Sequence, residues 1–165
     1  LTLAEAAVEA DALAEQGDER ALSQLRSQWE EEVEHAARSQ DFRERAVAYR
    51  AIAQFRYRQK TELLRRGLED ESPACRGSAL LSLERLSREH PGVVNGARPL
   101  LHELAARDGN EAVRRLAIVS LKNGSSDRAT IQLLEGLAGD DEQARELREA
   151  AAKVAQALRR KSTSR

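Results

Sequence analysis

Apolar residues along the chain recur at helical spacing, and one phrase returns several times. After the turn Asp108-Gly109-Asn110, Val113, Ala117, Ile118 and Leu121 stand at i, i+4, i+5 and i+8, sharing one side of a helix. Asp70 precedes Cys75, with Ala79, Leu80 and Leu83 at matching offsets. Asp41 precedes Val47, with Ala51, Ile52 and Phe55. Asp141 precedes Leu147, with Ala151, Ala152 and Ala155. A weaker copy at Val8, Ala12 and Leu13 opens the chain.

Between these phrases lie partner helices. The spacing predicts helices over 3–16, 19–38, 43–58, 60–68, 73–88, 93–106, 111–122, 128–138 and 142–159, and no strand. Gly17 stops the first and Asp18 caps the second. Ser72 and Pro73 suit the N-cap and first position of the fifth. Pro99 predicts a bend in the sixth, and Ser126 or Asp127 caps the eighth. Leu100, Leu101 and Leu104 form an inner face that Leu133, Leu134 and Leu137 repeat. A lone helix pair cannot bury both faces, whereas stacked pairs form a continuous core. The expectation is an all-α right-handed solenoid of antiparallel helix pairs. It forms one domain over 1–158, with 1–40 divergent and 159–165 a fraying basic tail.

The Leu-Leu-x-x-Leu helix, the Asp turn and the Val-Arg-x-x-Ala helix resemble HEAT repeats, in particular the HEAT-like repeats grouped with phycobilisome lyases. The motif is strongest over 61–121 and weak before 40. The resemblance implies that turn aspartates and following arginines link neighbouring repeats: Asp70, Arg76, Asp108, Arg114, Asp141 and Arg148. Ala48 replaces the arginine in the earlier copy, so the ladder should break there.

Composition narrows the chemistry. Aromatic residues are 3% and charged residues 33% of 165 residues, a mix suited to short helices packed on Ala and Leu. Near-neutrality, with 27 basic and 28 acidic side chains, argues against a general nucleic-acid coat. Charge is nonetheless segregated. Residues 1–40 hold 10 acidic and 3 basic side chains, and residues 42–66 hold 8 basic and 2 acidic. Arg43, Arg45, Arg50, Arg56, Arg58, Lys60, Arg65 and Arg66 make the basic block, with Tyr49 and Tyr57 interleaved, and it supplies a nucleic-acid reading.

The single Cys75 excludes an intrachain disulfide and takes an inward position. His35, His90 and His102 form no metal motif, and the lone His102-Glu103 dipeptide cannot build the iron site of the HEAT-repeat deoxyhypusine hydroxylase. No cofactor, metal or catalytic set is expected. Trp29 falls on the stripe of Leu25 and Val33 and is expected to pack inward. The chain begins at Leu1 and contains no Met, so a fragment or processed form is expected, and its compartment is expected to be cytoplasmic, without a membrane segment.

The resemblance implies that the second helix of each pair lines a concave side. Offsets +2, +6 and +9 from each anchor point away from the core. They place Tyr49, Gly77, Arg115, Ala53, Leu81, Val119, Arg56, Glu84 and Lys122 on that side, with Arg50 and Arg85 around them. Leu81 and Val119 either pack on adjacent helices or form an apolar strip with a basic rim. The leading expectation is a non-catalytic scaffold whose concave face takes a protein or peptide with acidic flanks. Nucleic-acid binding through 43–66 is the alternative, and a lyase-like enzyme subunit the third.

Overall fold

The computed structural model describes residues 1–163, and within them nine helices and no strand. The chain divides into two compact units, Leu1–Leu86 and Ser87–Arg165, where the periodicity suggests one domain.

The first unit contains α1 (Leu3–Gln16), α2 (Glu19–Ala37), α3 (Phe42–Gln54), α4 (Thr61–Leu68) and nearly all of α5 (Pro73–Ser87). Local chemistry sets the boundaries. Thr2 and Glu5 form a reciprocal capping box at α1, and Gly17 ends it at φ +75°. The side chain of Asp18 then accepts from Ala21 N–H to open α2. Packed on α2 and α3, α1 buries only Ala6, Ala7 and Ala10. Val8 is 61% exposed and Ala12 also faces solvent, so the opening copy of the phrase is not the buried face. At the centre are Leu22, Tyr49, Ile52, Phe55, Leu68, Leu80 and Leu83. Cys75 is buried there, its Sγ donating to the Phe42 carbonyl. Trp29 is only half-buried, although its Nε1 is enclosed without a partner among the described residues.

Helix α3 stops at Gln54 rather than 58. Tyr57 N–H reaches the Ile52 carbonyl and Arg56 N–H the Ala53 carbonyl, a Schellman closure. Arg56 holds the left-handed position at φ 59°, where glycine is usual.

In the second unit α6 (Gly92–Arg107) packs on α7 (Glu111–Leu121), and α8 (Arg128–Ala138) on α9 (Arg145–Thr163); α7 also meets α9, and α6 meets α8. Leu101, Ile118, Leu121, Leu134, Leu147 and Leu158 are among its largest fully buried side chains. Asn110 and Asp127 cap α7 and α8 through their side chains. In place of a fraying tail over 159–163, α9 continues to Thr163: Arg159 pairs with Glu135, and Lys161 Nζ donates to the carbonyls of Lys122 and Gly124. Ser164 and Arg165 lie outside the described residues. The inner face of α9 is Leu147, Ala151, Val154, Ala155 and Leu158, with Ala152 exposed.

Burial follows one register on the second helices. From Cys75, offsets 0, +4, +5, +7 and +8 are buried, as they are from Val113. On α3 offsets 0, +4, +5 and +7 are buried when counted from Ala48, not Val47. Val47 is only half-buried, so the phrase there is one residue out of register. Two adjacent apolar residues made both registers available to the sequence.

Candidate functional site

The turns before these helices share a geometry. Asp70 Oδ1 accepts from Ser72 N–H and Asp108 Oδ1 from Asn110 N–H; before α3 Ser39 Oγ takes this place, accepting from Asp41 N–H, and Asp41 is the N-cap, its Oδ1 accepting from Arg43 N–H. Before α9 it is Asp140 Oδ1, which accepts from Glu142 N–H. Asp140 rather than Asp141 makes this turn. Asp141 is fully exposed and stands 4.0 Å from Arg148.

The expected break in the arginine ladder at Ala48 does not occur. With Ala48 as anchor, Tyr49 holds the arginine's place, and Arg45, one helical turn earlier, supplies the guanidinium. Arg45 Nε and Nη2 grip both oxygens of Asp70 at 2.9 and 3.1 Å, and Nη1 donates to the carbonyls of Ser39 and Gln40. Arg76 and Arg114 reach backward in the same way, to the carbonyls of Asp70 and Glu71 and to that of Ala105. Arg114 also meets Gln143 Oε1. Burial alone would raise the Asp70 pKa, but the Arg45 and Ser72 hydrogen bonds hold it below the ordinary carboxylate value.

The eight expected contact residues part company. Tyr49 is wholly buried, its ring against Gly67, so it cannot line an open face. The register shift explains this: the outward positions of α3 are Arg50 and Gln54, both half-buried. Arg56 is engaged inside the first unit, its Nη1 2.8 Å from Asp11 and Nη2 3.1 Å from Glu15, both on α1. Arg85 Nη2 lies 3.3 Å from the same Glu15. Leu81 on α5 is 42% exposed, a large apolar residue facing out. On α7, Arg115 and Lys122 are exposed and Val119 is half-buried.

The segregated charges find one another. Besides the Arg56 pairs, Lys60 Nζ sits 3.1 Å from Glu30 and 2.6 Å from Glu34, and 5.2 Å above the Tyr57 ring. Burial opposes the Lys60 charge, but Glu34 and Glu30 outweigh it and raise its pKa. Arg26 Nε caps the Phe55 carbonyl while Tyr57 Oη donates to the Arg26 carbonyl. The acidic block of 1–40 and the basic block of 42–66 are thus two sides of one folded unit. The signal was present in their opposite signs, but pairing partners 26 to 45 residues apart are not readable from local pattern.

Half-buried His102 shares a 2.7 Å hydrogen bond with Thr130 Oγ1, joining α6 to α8. Burial lowers its pKa. Among the described residues, no group of three or more His, Cys, Asp or Glu side chains converges as metal ligands, and no helix is long and apolar enough to cross a membrane. Comparison with known proteins finds no matching family model and no similar curated protein.

Proposed function

We propose that the chain is a HEAT-like α-solenoid that acts as a non-catalytic scaffold, binding a protein partner through the outward rows of its second helices. The recurring burial register on α3, α5 and α7 supports the helix-pair reading, as do the recurring aspartate turns and the arginines Arg76 and Arg114, which donate back to carbonyls at the turn and at the end of the preceding helix. The observation that carries the binding reading is Leu81. Leu81 is 42% exposed at the centre of the α5 outward row, where a large apolar side chain can anchor a partner; Val8 at 61% and Phe42 at 47% are exposed elsewhere in the same unit. On α7 the equivalent row is Arg115, Val119 and Lys122. On the first unit Arg50 is the outward cation suited to an acidic flank, because Arg56 and Arg85 already face Glu15; on the second, Arg115 and Lys122 are.

The same internal pairing weighs against nucleic-acid binding through 43–66. Arg45, Arg56 and Lys60 are committed to carboxylates, and Arg43 and Arg65 pair with Asp41 and Glu69, so five of the eight cations of that block already face an anion of the chain itself. The test is Leu81→Lys beside Leu80→Lys. The first should leave the melting temperature within the range of surface substitutions, about 0.5 kcal/mol, and the second should unfold the first unit by trapping a charge. Equal damage from both would mean that Leu81 is a packing residue and the binding reading fails.

A further inference from the structure

Helix α1 is held to the first unit differently from its neighbours. Its fully buried side chains are three alanines, Ala6, Ala7 and Ala10, with Leu3 and Leu13 half-buried. The adjoining α2 and α3 instead send Leu22, Val33, Tyr49 and Ile52 into the interior. Three methyl groups bury little apolar area, so packing alone holds α1 weakly. The rest of the attachment is ionic. Asp11 and Glu15, one helical turn apart, meet Arg56 Nη1 and Nη2 at 2.8 and 3.1 Å, and Glu15 also meets Arg85 Nη2 at 3.3 Å. The two carboxylates are 43% and 63% exposed, whereas the Arg56 side chain is 11% exposed.

The two sides of this contact are not equally fixed. Arg56 Nη1 also donates to the carbonyls of Ala53 and Gln54, so its guanidinium keeps its place without α1. Helix α1 is self-contained: the Thr2–Glu5 capping box closes one end, and Gly17 N–H donating to the Ala14 carbonyl closes the other. Gly17 is the joint to α2, at φ +75° with open space where a side chain would be. We propose that α1 is a releasable strap, latched by Asp11 and Glu15, which opens as a unit ahead of the helices beneath it and leaves Arg56 and Arg85 to the carboxylates of a protein partner. Elements with few buried apolar contacts open at lower free energy than the core. Part-exposed ion pairs weaken as salt rises, whereas apolar packing does not. The strap rests on the scaffold reading for its purpose: Arg85 stands one turn from Leu81 on α5, and a partner with an acidic flank must displace Glu15 to reach it.

Hydrogen exchange of the full chain, read by mass spectrometry on peptides from α1, α3 and α5, tests the strap. Wild type is compared with Asp11→Asn/Glu15→Gln and with Glu9→Gln, an exposed carboxylate on the same helix, at low and high sodium chloride. In wild type the α1 amides should exchange faster than those of α3 and α5, and salt should speed α1 alone. The double substitution should speed the whole of α1 roughly three- to tenfold at low salt, the range for two partly exposed pairs, and remove most of its salt response. Glu9→Gln should follow wild type. Poly-L-glutamate, as an acidic probe, should speed wild-type α1 beyond chloride at matched ionic strength, because its carboxylates compete for Arg56 and Arg85. The proposal is overturned if α1 exchanges in step with α3 and α5, if the double substitution leaves its rate unchanged, or if the change stays within the last turn around Glu15. No effect of poly-L-glutamate beyond chloride overturns the release of the arginines. These outcomes are separate from the Leu81→Lys comparison, whose failure removes the scaffold reading and leaves the exchange of α1 as it is.

Discussion

Replacing Arg45 by alanine should be among the most damaging polar substitutions in this protein. Arg45 and Asp70 are 13% and 8% exposed at their side chains and meet through two hydrogen bonds. Removing one partner of a buried pair leaves an uncompensated charge and costs about 3–5 kcal/mol. The slight exposure of both groups places this pair near the lower figure, about 3 kcal/mol. The carbonyls of Ser39 and Gln40 lose their donor as well. For a chain of this size, about 2–4 °C per kcal/mol then gives a fall of about 6–12 °C in Tm. Arg145→Ala is the control, since it breaks a pair with Glu149 whose side chains are 80% and 64% exposed. Solvent screens that surface pair, so its loss should leave Tm close to wild type. The double change Arg45→Ala/Asp70→Asn removes the stranded charge and should recover part of the loss. Because the folded state lowers the Asp70 pKa, the contribution is present above the unfolded carboxylate pKa and is lost as pH falls through the folded value. Thermal melts of the four proteins at neutral and acid pH make the comparison. If Arg45→Ala costs no more than Arg145→Ala, then Arg45 is not the residue that completes the turn ladder.

Gly67→Ala should destabilise by about 1–3 kcal/mol, because an added Cβ would stand 2.8 Å from Ala79 Cβ and 2.9 Å from Tyr49 Cδ1; denaturant titration measures it. His102 has a lowered pKa, so the folded state binds fewer protons than the unfolded one between the two values. Its contribution is therefore full above about pH 6.5 and lost as pH falls, and wild type should lose its advantage over His102→Gln in melts below that pH.

What the sequence made legible was the helices, because their apolar periodicity and their caps agree. Thr2, Asp18, Asp41, Asn110 and Asp127 each cap the helix that the pattern begins beside them. What it hid was phase at ambiguous positions and pairing at long range. Val47 and Ala48 are both apolar, and nothing local says that Ala48 is the anchor. That one-residue slip moved Tyr49 from the interior to the expected surface. Arg56 looked like a free rim cation, yet its value lies in Asp11 and Glu15 on a helix 45 residues away in the case of Asp11. Similarly, α9 outlasts its apparent polar end, because the pairs made by Arg159 and Lys161 depend on α8 and on the segment after α7. Leu81 faces outward because the phase of α5 is fixed by Cys75, Ala79, Leu80 and Leu83, all buried, a choice between packing and exposure that the sequence left open.

The most direct test of the scaffold reading is the paired substitution Leu81→Lys/Val119→Lys, measured by thermal melting and by quantitative capture beside wild type. The account predicts a Tm close to wild type and loss of partners that wild type retains, with capture by the Arg145→Ala protein unchanged. A Tm lowered as far as that of Leu80→Lys would contradict it by showing that these side chains hold the fold. A native Tm with an unaltered set of partners would contradict it equally, by showing that nothing binds there.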